Sequence, residues 1–498
     1  MGFKDYVRDK MQSFLNIQPP QSFTINLDGM LDYEGNAIKN RIWYRGDATE
    51  LAQLYKQIDL YEERNMFWAA LSTPGMEIAK RHTGLPAIIA DTLASIVTNN
   101  LNDITLEDSK HNRVWEETAK ENKFEKLLSQ AVTTALFIGD GAFKIAFDPE
   151  ISKLPLLEFV PGDKIEYRYT RGRLTEVIFK SELEHNQVKG GPQMWTLEEH
   201  YGKGYIKYKL YHGNEELSPM DYPETERYVD LAFGGQQADY MLAVPLMFYQ
   251  SERYYGRGRS IFDKKIDAFD GLDEAWSQWL DALRAGRSKT YIPESLIPRD
   301  PNTGQVRKPN PFDNRYIQTD ADLKENGQNR ITTESAPIQY DGYLATYVTA
   351  LDLCLQGLVS PSTIGIDVKK LDNAEAQREK EKVTLYTRSV LVEALQEDLE
   401  LLAVNTVRAY YEWAKNELID TPKAEVTFGD YANPSFESQI ETVVMARQGG
   451  VMSIETVVEE LYGDTRDDDW KGEEVTRLKK ELGLEEVDEP SVNMDMYL

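Results

Sequence analysis

Five histidines, His82, His111, His185, His200 and His212, are spread over the first half of the chain, and no two share the H-E-x-x-H spacing that sets zinc ligands on one helix face. Each therefore reads as a surface or packed imidazole. Gly256 and Gly258 lack the third glycine of a dinucleotide fingerprint and precede no βαβ unit, and the sequence contains neither a phosphate-cradling G-x-x-x-x-G-K-[ST] loop nor a G-x-S-x-G elbow. Cys354 is the single cysteine, which excludes an intrachain disulfide and a cysteine-based metal site. Carboxylates are abundant enough to supply an acid/base pair, but acid-rich helices produce such spacings by chance. No catalytic residue, metal or cofactor is expected. An acidic enzyme with an unrecognised carboxylate site stays as an alternative.

Two sets of charges stand out instead. Asp263, Asp267, Asp270, Asp273 and Glu274 fall along the expected exposed face of one helix, and Arg284, Arg287 and Lys289 gather near its end. Acids early and bases late complement the helix dipole. A row of acids facing a passing nucleic acid would also repel its phosphates rather than trap them. Lys369 and Lys370 form the second set, in a break between helices, where they are either ordinary loop lysines or contacts to DNA.

Stepping outward to the elements that carry these residues, the pattern from about 40 to 137 is helical with short breaks. In its last part Trp115, Phe124, Leu127, Leu128, Ala131 and Leu136 make one apolar stripe, ended by the Gly-Asp-Gly turn at 139–141. The period then becomes that of strands to residue 212, rich in aromatic and β-branched residues with short spacings, which predicts an antiparallel meander. A helix is predicted over about 260–287. A Pro-, Gly- and Asn-rich insert with strand-like pieces (TYIPESLI, RYIQT, APIQY) follows, then a helix at 342–359 whose stripe is Leu344, Val348, Leu351, Leu355 and Leu358. Pro361 and Gly365 stop it. Asp372 with Glu375 approximates a capping box opening a helix from 373 to about 417, on the order of 65 Å long. Past Pro422 come a strand, AEVTFGD, and short helices.

The chain has 498 residues, 41% of them hydrophobic, enough for a large core in several domains. Its formal net charge is −28, which argues against a reader that gains affinity by neutralising phosphates. No stretch is apolar for long enough to span a bilayer, the N-terminus lacks a signal-peptide core, and Tyr6 stands where a myristoylation signal wants Ser or Thr.

The order of elements resembles the portal proteins of tailed bacteriophages, the siphophage head–tail connectors. The residues that carry the resemblance are FIGDGAFKIAFD at 137–148, YYGRGRSIFDKKIDAFDGLDEAWSQWL at 254–280, SPSTIG at 360–365 and LDNAEAQREKEKVTLYTRSVLVEALQEDLE at 371–400. It implies an α+β portal fold: an N-terminal arm (1–40), a wing that is helical and then a β meander (41–255), two stem helices (256–287 and 342–359), a small β-containing clip (288–341), a tunnel loop (360–372), the wing's long helix and strand (373–434), and a crown with an acidic tail (435–498). It further implies a self-assembled ring, usually of twelve subunits, at one capsid vertex of the virion, built in the host cytoplasm. Through it double-stranded DNA is packaged and ejected without sequence readout. The implied partners are terminase, a head completion or adaptor protein, and the major capsid and scaffolding proteins, with no membrane. On this resemblance Asp367, Lys369 and Lys370 belong to the tunnel loop, the acids of residues 263–274 line the channel, and Arg284, Arg287 and Lys289 meet DNA at the clip end. An elongated helical scaffold or adaptor of a virion is the other alternative.

Overall fold

The computed structural model describes residues 32–58, 66–70, 78–185, 193–223, 225–235, 239–287, 289–293, 300–304, 316–319, 332–334, 337–365, 374–429, 443–447, 452–462 and 468–481. The fold is α+β, mixing helices with largely antiparallel sheets. The chain divides into two compact units, Met1–Phe428 and Gly429–Leu498.

In the first unit the opening helices are α1 (Tyr33–Arg45), α2 (Ala48–Ile58) and α3 (Leu85–Thr98). Asp32 caps α1 by accepting from the Gly35 N–H, and Gly46, at φ 68°, ends it in the left-handed conformation that glycine adopts without strain. The break between the second and third helical stretches holds β1 (Leu101–Leu106), which pairs antiparallel with the strand near residue 426. The long apolar stripe beyond it is split between α4 (Ser109–Glu121) and α5 (Phe124–Ile138), because Lys123 turns left-handed at φ 50°.

The predicted meander follows. β2 (Asp140–Ala146) lies between β3 (Leu156–Pro161) and a later strand, β10. Strands β4 (Ile165–Thr170), β5 (Arg173–His185), β6 (Gln193–Gly202), β7 (Tyr205–His212) and β8 (Glu215–Leu217) pair in sequence order, with β9 (Leu231–Ala232) on β7. β10 (Ala243–Met247) completes the smaller sheet. Lys144 on β2 bonds Glu199 on β6 at 2.8 Å and reaches Glu158 on β3 at 3.3 Å, tying the two sheets together.

Helix α6 (Ile266–Ala285) starts later than the 260 expected, and β11 (Lys289–Pro293), β12 (Tyr316–Thr319) and β13 (Thr332–Glu334) form a three-stranded sheet in which β11–β12 is a parallel pair. APIQY is not a strand: residues 337–339 are irregular and α7 (Tyr340–Leu355) begins at its tyrosine. α7 runs antiparallel to α6. Lys265, at the start of one, donates to the Leu353 carbonyl at the end of the other at 2.8 Å, and Trp279 meets Tyr340 at the opposite end. The long helix α8 (Ala374–Tyr410) spans about 55 Å and closes in a π-turn at 411–415. Its leucines at 391, 395, 399 and 402 are fully buried, as the stripe predicts. Its end is fixed to the segment before β10. Asn405 donates to the Met241 carbonyl, Arg408 pairs with Asp239, and Glu412 accepts from the Gly234 N–H and the Tyr240 hydroxyl. β14 (Ala424–Phe428) then pairs with β1.

In the second unit, α9 (Ile454–Tyr462) and α10 (Asp468–Glu481) are joined by Lys479–Glu455 and Lys471–Glu459 ion pairs and an edge-on Tyr462–Trp470 contact.

Candidate functional site

Two of the motifs singled out in the sequence meet. Gly139-Asp140-Gly141, between α5 and β2, and Gly256-Arg257-Gly258, ahead of α6, each hold one charge between two glycines. Arg257 grips Asp140 with a two-pronged bond, Nε to Oδ2 at 2.9 Å and Nη2 to Oδ1 at 2.8 Å, and it also donates to the Ile165 and Gly162 carbonyls. The Gly258 N–H adds a third donor to Asp140 at 2.7 Å, and the guanidinium lies 3.6 Å over the Tyr33 ring. Asp140 is wholly buried. Burial opposes the charge on Arg257, but the hydrogen bonds and attraction of Asp140 outweigh it and hold the guanidinium's pKa above its ordinary value. A Cβ on Gly258 would stand 2.1 Å from the Gly139 carbonyl oxygen, so the two backbones approach as only glycine allows. Ser260 and Ile261 extend the seam by donating to the carbonyls of Phe137 and Leu136.

This seam fixes where α6 starts, and α6 carries the expected acidic row. The row does not face outward as a whole. Asp263 precedes the helix and accepts from Asn36 and Asn40 on α1 and from the Ser260 N–H. Asp270 is buried and accepts from the N–H groups of Phe67 and Trp68. Asp273 is wholly buried, taking Trp68 Nε1, the Thr83 N–H and hydroxyl, and His82 Nδ1 at 2.7 Å. The exposed acidic face is thus corrected: these three carboxylates hold segments 66–70 and 80–83 and helix α1. Burial pushes the Asp270 carboxyl up to about 6 against the two N–H donors that lower it. Asp267 remains exposed and Glu274 half-buried.

The His82–Asp273 pair is the arrangement closest to acid–base machinery, but Trp43 packs edge-on to the imidazole at 5.5 Å and Gly46 lies against its other nitrogen, so no substrate reaches it. His200 sits between Glu176 and Glu198, and His111 packs on Tyr411. Among the described residues no three His, Cys, Asp or Glu side chains gather as metal ligands, and no helix is long and apolar enough to cross a membrane.

Of the basic residues named from the sequence, Arg284 is half-buried in the last turn of α6 and Arg287 is exposed just beyond it. Lys289 opens β11, and nothing of its side chain is described. Asp367, Lys369 and Lys370 lie outside the described residues, as does the capping box at 372.

The α6–α7 pair has an uncovered flank. Trp276 and Trp279 pack with Tyr347 and Tyr340 between the helices, yet Leu283, Ile338, Tyr340, Leu344 and Leu353 are exposed, Tyr340 at 55% and Leu353 at 52%. On α8 a second apolar set, Leu385, Tyr386, Val390 and Leu401, also faces out.

No family model matches the chain, and no curated protein does. Among solved structures it is similar to a chain of the neck of a native gene transfer agent particle computed with C12 symmetry, at 13% identity over 76% of this chain and 89% of that one, with a TM-score of 0.34. It is likewise similar to a chain of the virion of a native gene transfer agent particle, at 12% identity over 78% and 89%, with the same score. A likeness at that score assigns no role. The functional reading rests on the residues of this chain.

The sequence assigns no site to the Asp140–Arg257 seam, and it places the buried acids Asp263, Asp270 and Asp273 on an exposed face instead of in the interior. The seam had a usable signal: opposite charges, each bracketed by glycines, at two element boundaries. The buried acids had none, since their partners are backbone N–H groups nearly two hundred positions away.

Proposed function

We propose that this chain is the subunit of a portal-type ring, a phage-like virion component through which double-stranded DNA passes. The observation that carries the reading is the uncovered flank of the α6–α7 pair. α7 buries Leu351, Cys354 and Leu355 but leaves Tyr340, Leu344 and Leu353 in contact with solvent, and Ile338 just ahead of it is exposed as well. Exposed apolar side chains on a chain of net charge −28 call for an apolar partner, and a second copy of the same helix pair would supply one. A contact between different edges of the pair would repeat around an axis, closing as a ring where its rotation closes and running on as a filament where it does not.

On this reading α6 and α7 form the stem, the sheet of β11, β12 and β13 lies in the clip where terminase and later a completion protein dock, and the loop at 360–372, with Asp367, Lys369 and Lys370, is the one assigned to the bore. Asp267 and Glu274 remain as acids for the channel wall, with Arg284, Arg287 and Lys289 toward the clip. Contacts to phosphates carry no base information, which suits a conduit for any sequence. Electron microscopy of the purified chain, incubated to assembly, is expected to show closed rings with a central hole and the loop at 360–372 at the lumen. Rods would instead mark an elongated scaffold, and globules without a hole a monomeric protein; either outcome rejects the ring.

A further inference from the structure

Beside the start of α6 is a pocket of about 210 Å³ lined by Asn36, Lys39, Glu252, Arg253, Tyr254, Arg259, Asp263 and Lys264, among others. On a chain with an excess of acids, four cationic side chains converge on it. Its two carboxylates do little to neutralise Arg253 and Arg259. Asp263 is already taken by the amides of Asn36 and Asn40 and the Ser260 N–H. Glu252 meets Lys264 at 3.4 Å with both side chains largely in water, an arrangement that binds weakly. Among the described residues neither Arg253 nor Arg259 has a carboxylate partner. Each guanidinium lies over a tyrosine ring instead, Arg253 over Tyr254 and Arg259 over Tyr249. Arg259 Nε and the Tyr254 hydroxyl are themselves buried without a hydrogen-bond partner among the described residues.

We propose that this pocket binds a phosphoryl oxyanion. Two guanidiniums without carboxylate partners among the described residues, with Lys264 beside them, offer the charged donors that such a group takes, and the volume is below that of a pocket for a nucleotide-sized molecule. The oxyanion bridges the loop at 251–259 to the pocket's α1 wall, and so braces the base of α6. The source is either free phosphate or a phosphodiester of nucleic acid. The inference does not depend on ring formation.

The test is titration of the full chain with inorganic phosphate at constant ionic strength, read by broadening of the phosphate ³¹P resonance and by melting temperature, with oligomeric state recorded on the same samples. Wild type is expected to broaden the resonance and to gain about 2 °C at saturating phosphate. Arg259→Gln is expected to weaken binding about tenfold or more, while Arg259→Lys retains part of it. Arg253→Gln, at an exposed position, gives the same direction without disturbing buried structure. A short DNA duplex that displaces phosphate identifies the phosphodiester source; a duplex that does not identifies free phosphate. No broadening with wild type, or equal broadening by wild type and both glutamine variants, overturns the proposal whether or not rings form.

Discussion

A single carboxylate–guanidinium pair holds the junction between the β meander and α6. Asp140 is wholly buried and Arg257 nearly so, so removing one partner leaves the other's charge without water or a counter-ion. Asp140→Ala or Arg257→Ala is therefore expected to cost about 3–5 kcal/mol each, and the double variant much less than the sum, in urea titrations arranged as a double-mutant cycle. Additive losses would show that the pair is not coupled. Gly258→Ala tests the backbone approach separately, because a Cβ there would collide with the Gly139 carbonyl while leaving both charges in place. At this scale the sequence is partly legible. Glycines flanking a charge at 139–141 and 256–258 signal a close approach, but the pairing of one turn with the other across more than a hundred residues is a tertiary fact. Asp270 and Asp273 were misread for the same reason. On a helix wheel they belong to an acidic face, and only the segment carrying Phe67 and Trp68, folded against them, turns that face inward.

Among the elements, α8 shows what its pattern could and could not reveal. A glycine- and proline-free run with leucines at helical spacing gives the rod, and the leucine row gives its buried seam. Asp398, beside that seam, is held protonated: burial first, and then the neighbouring Glu397 charge, push its carboxyl up to about 8. A carboxyl whose folded pKa lies above its unfolded value binds more protons folded than unfolded between the two. Its contribution to stability is thus fully present below about pH 4 and is lost as pH rises through about 8. Asp270 acts in the same sense over the narrower window that ends near 6. Asp398→Asn is expected to melt higher than wild type at pH 8 and alike at pH 4; equal melting temperatures at both would place the carboxyl in water. The strand β1 was missed because LNDITL is short and follows a strong helix. Its identity as a strand comes from β14, and no local window contains both.

For the molecule as a whole, charge and apolar surface pull in opposite directions. Each copy carries −28, which drives copies apart, while the exposed apolar residues of α6–α7 and α8 would, on the proposed reading, draw them together. Salt shortens the reach of repulsion from about 10 Å at 0.1 M to about 3 Å at 1 M without weakening apolar burial. Assembly is therefore expected to rise with ionic strength, and Leu353→Asp to suppress it, as read by mass photometry. Assembly that falls with salt would point to ion pairs, not apolar contact, as the adhesive.

The pairing of β1 with β14 joins Leu101 to Phe428 and Leu106 to Ala424. Until the ribosome has released the residues near 428, the edge of β1 has no strand beside it and the wall that α8 provides is incomplete. Closing so long a loop is slow relative to local folding. A chain that stops before residue 424 therefore lacks the partner strand of β1, and the two-stranded sheet on which α8 packs cannot form.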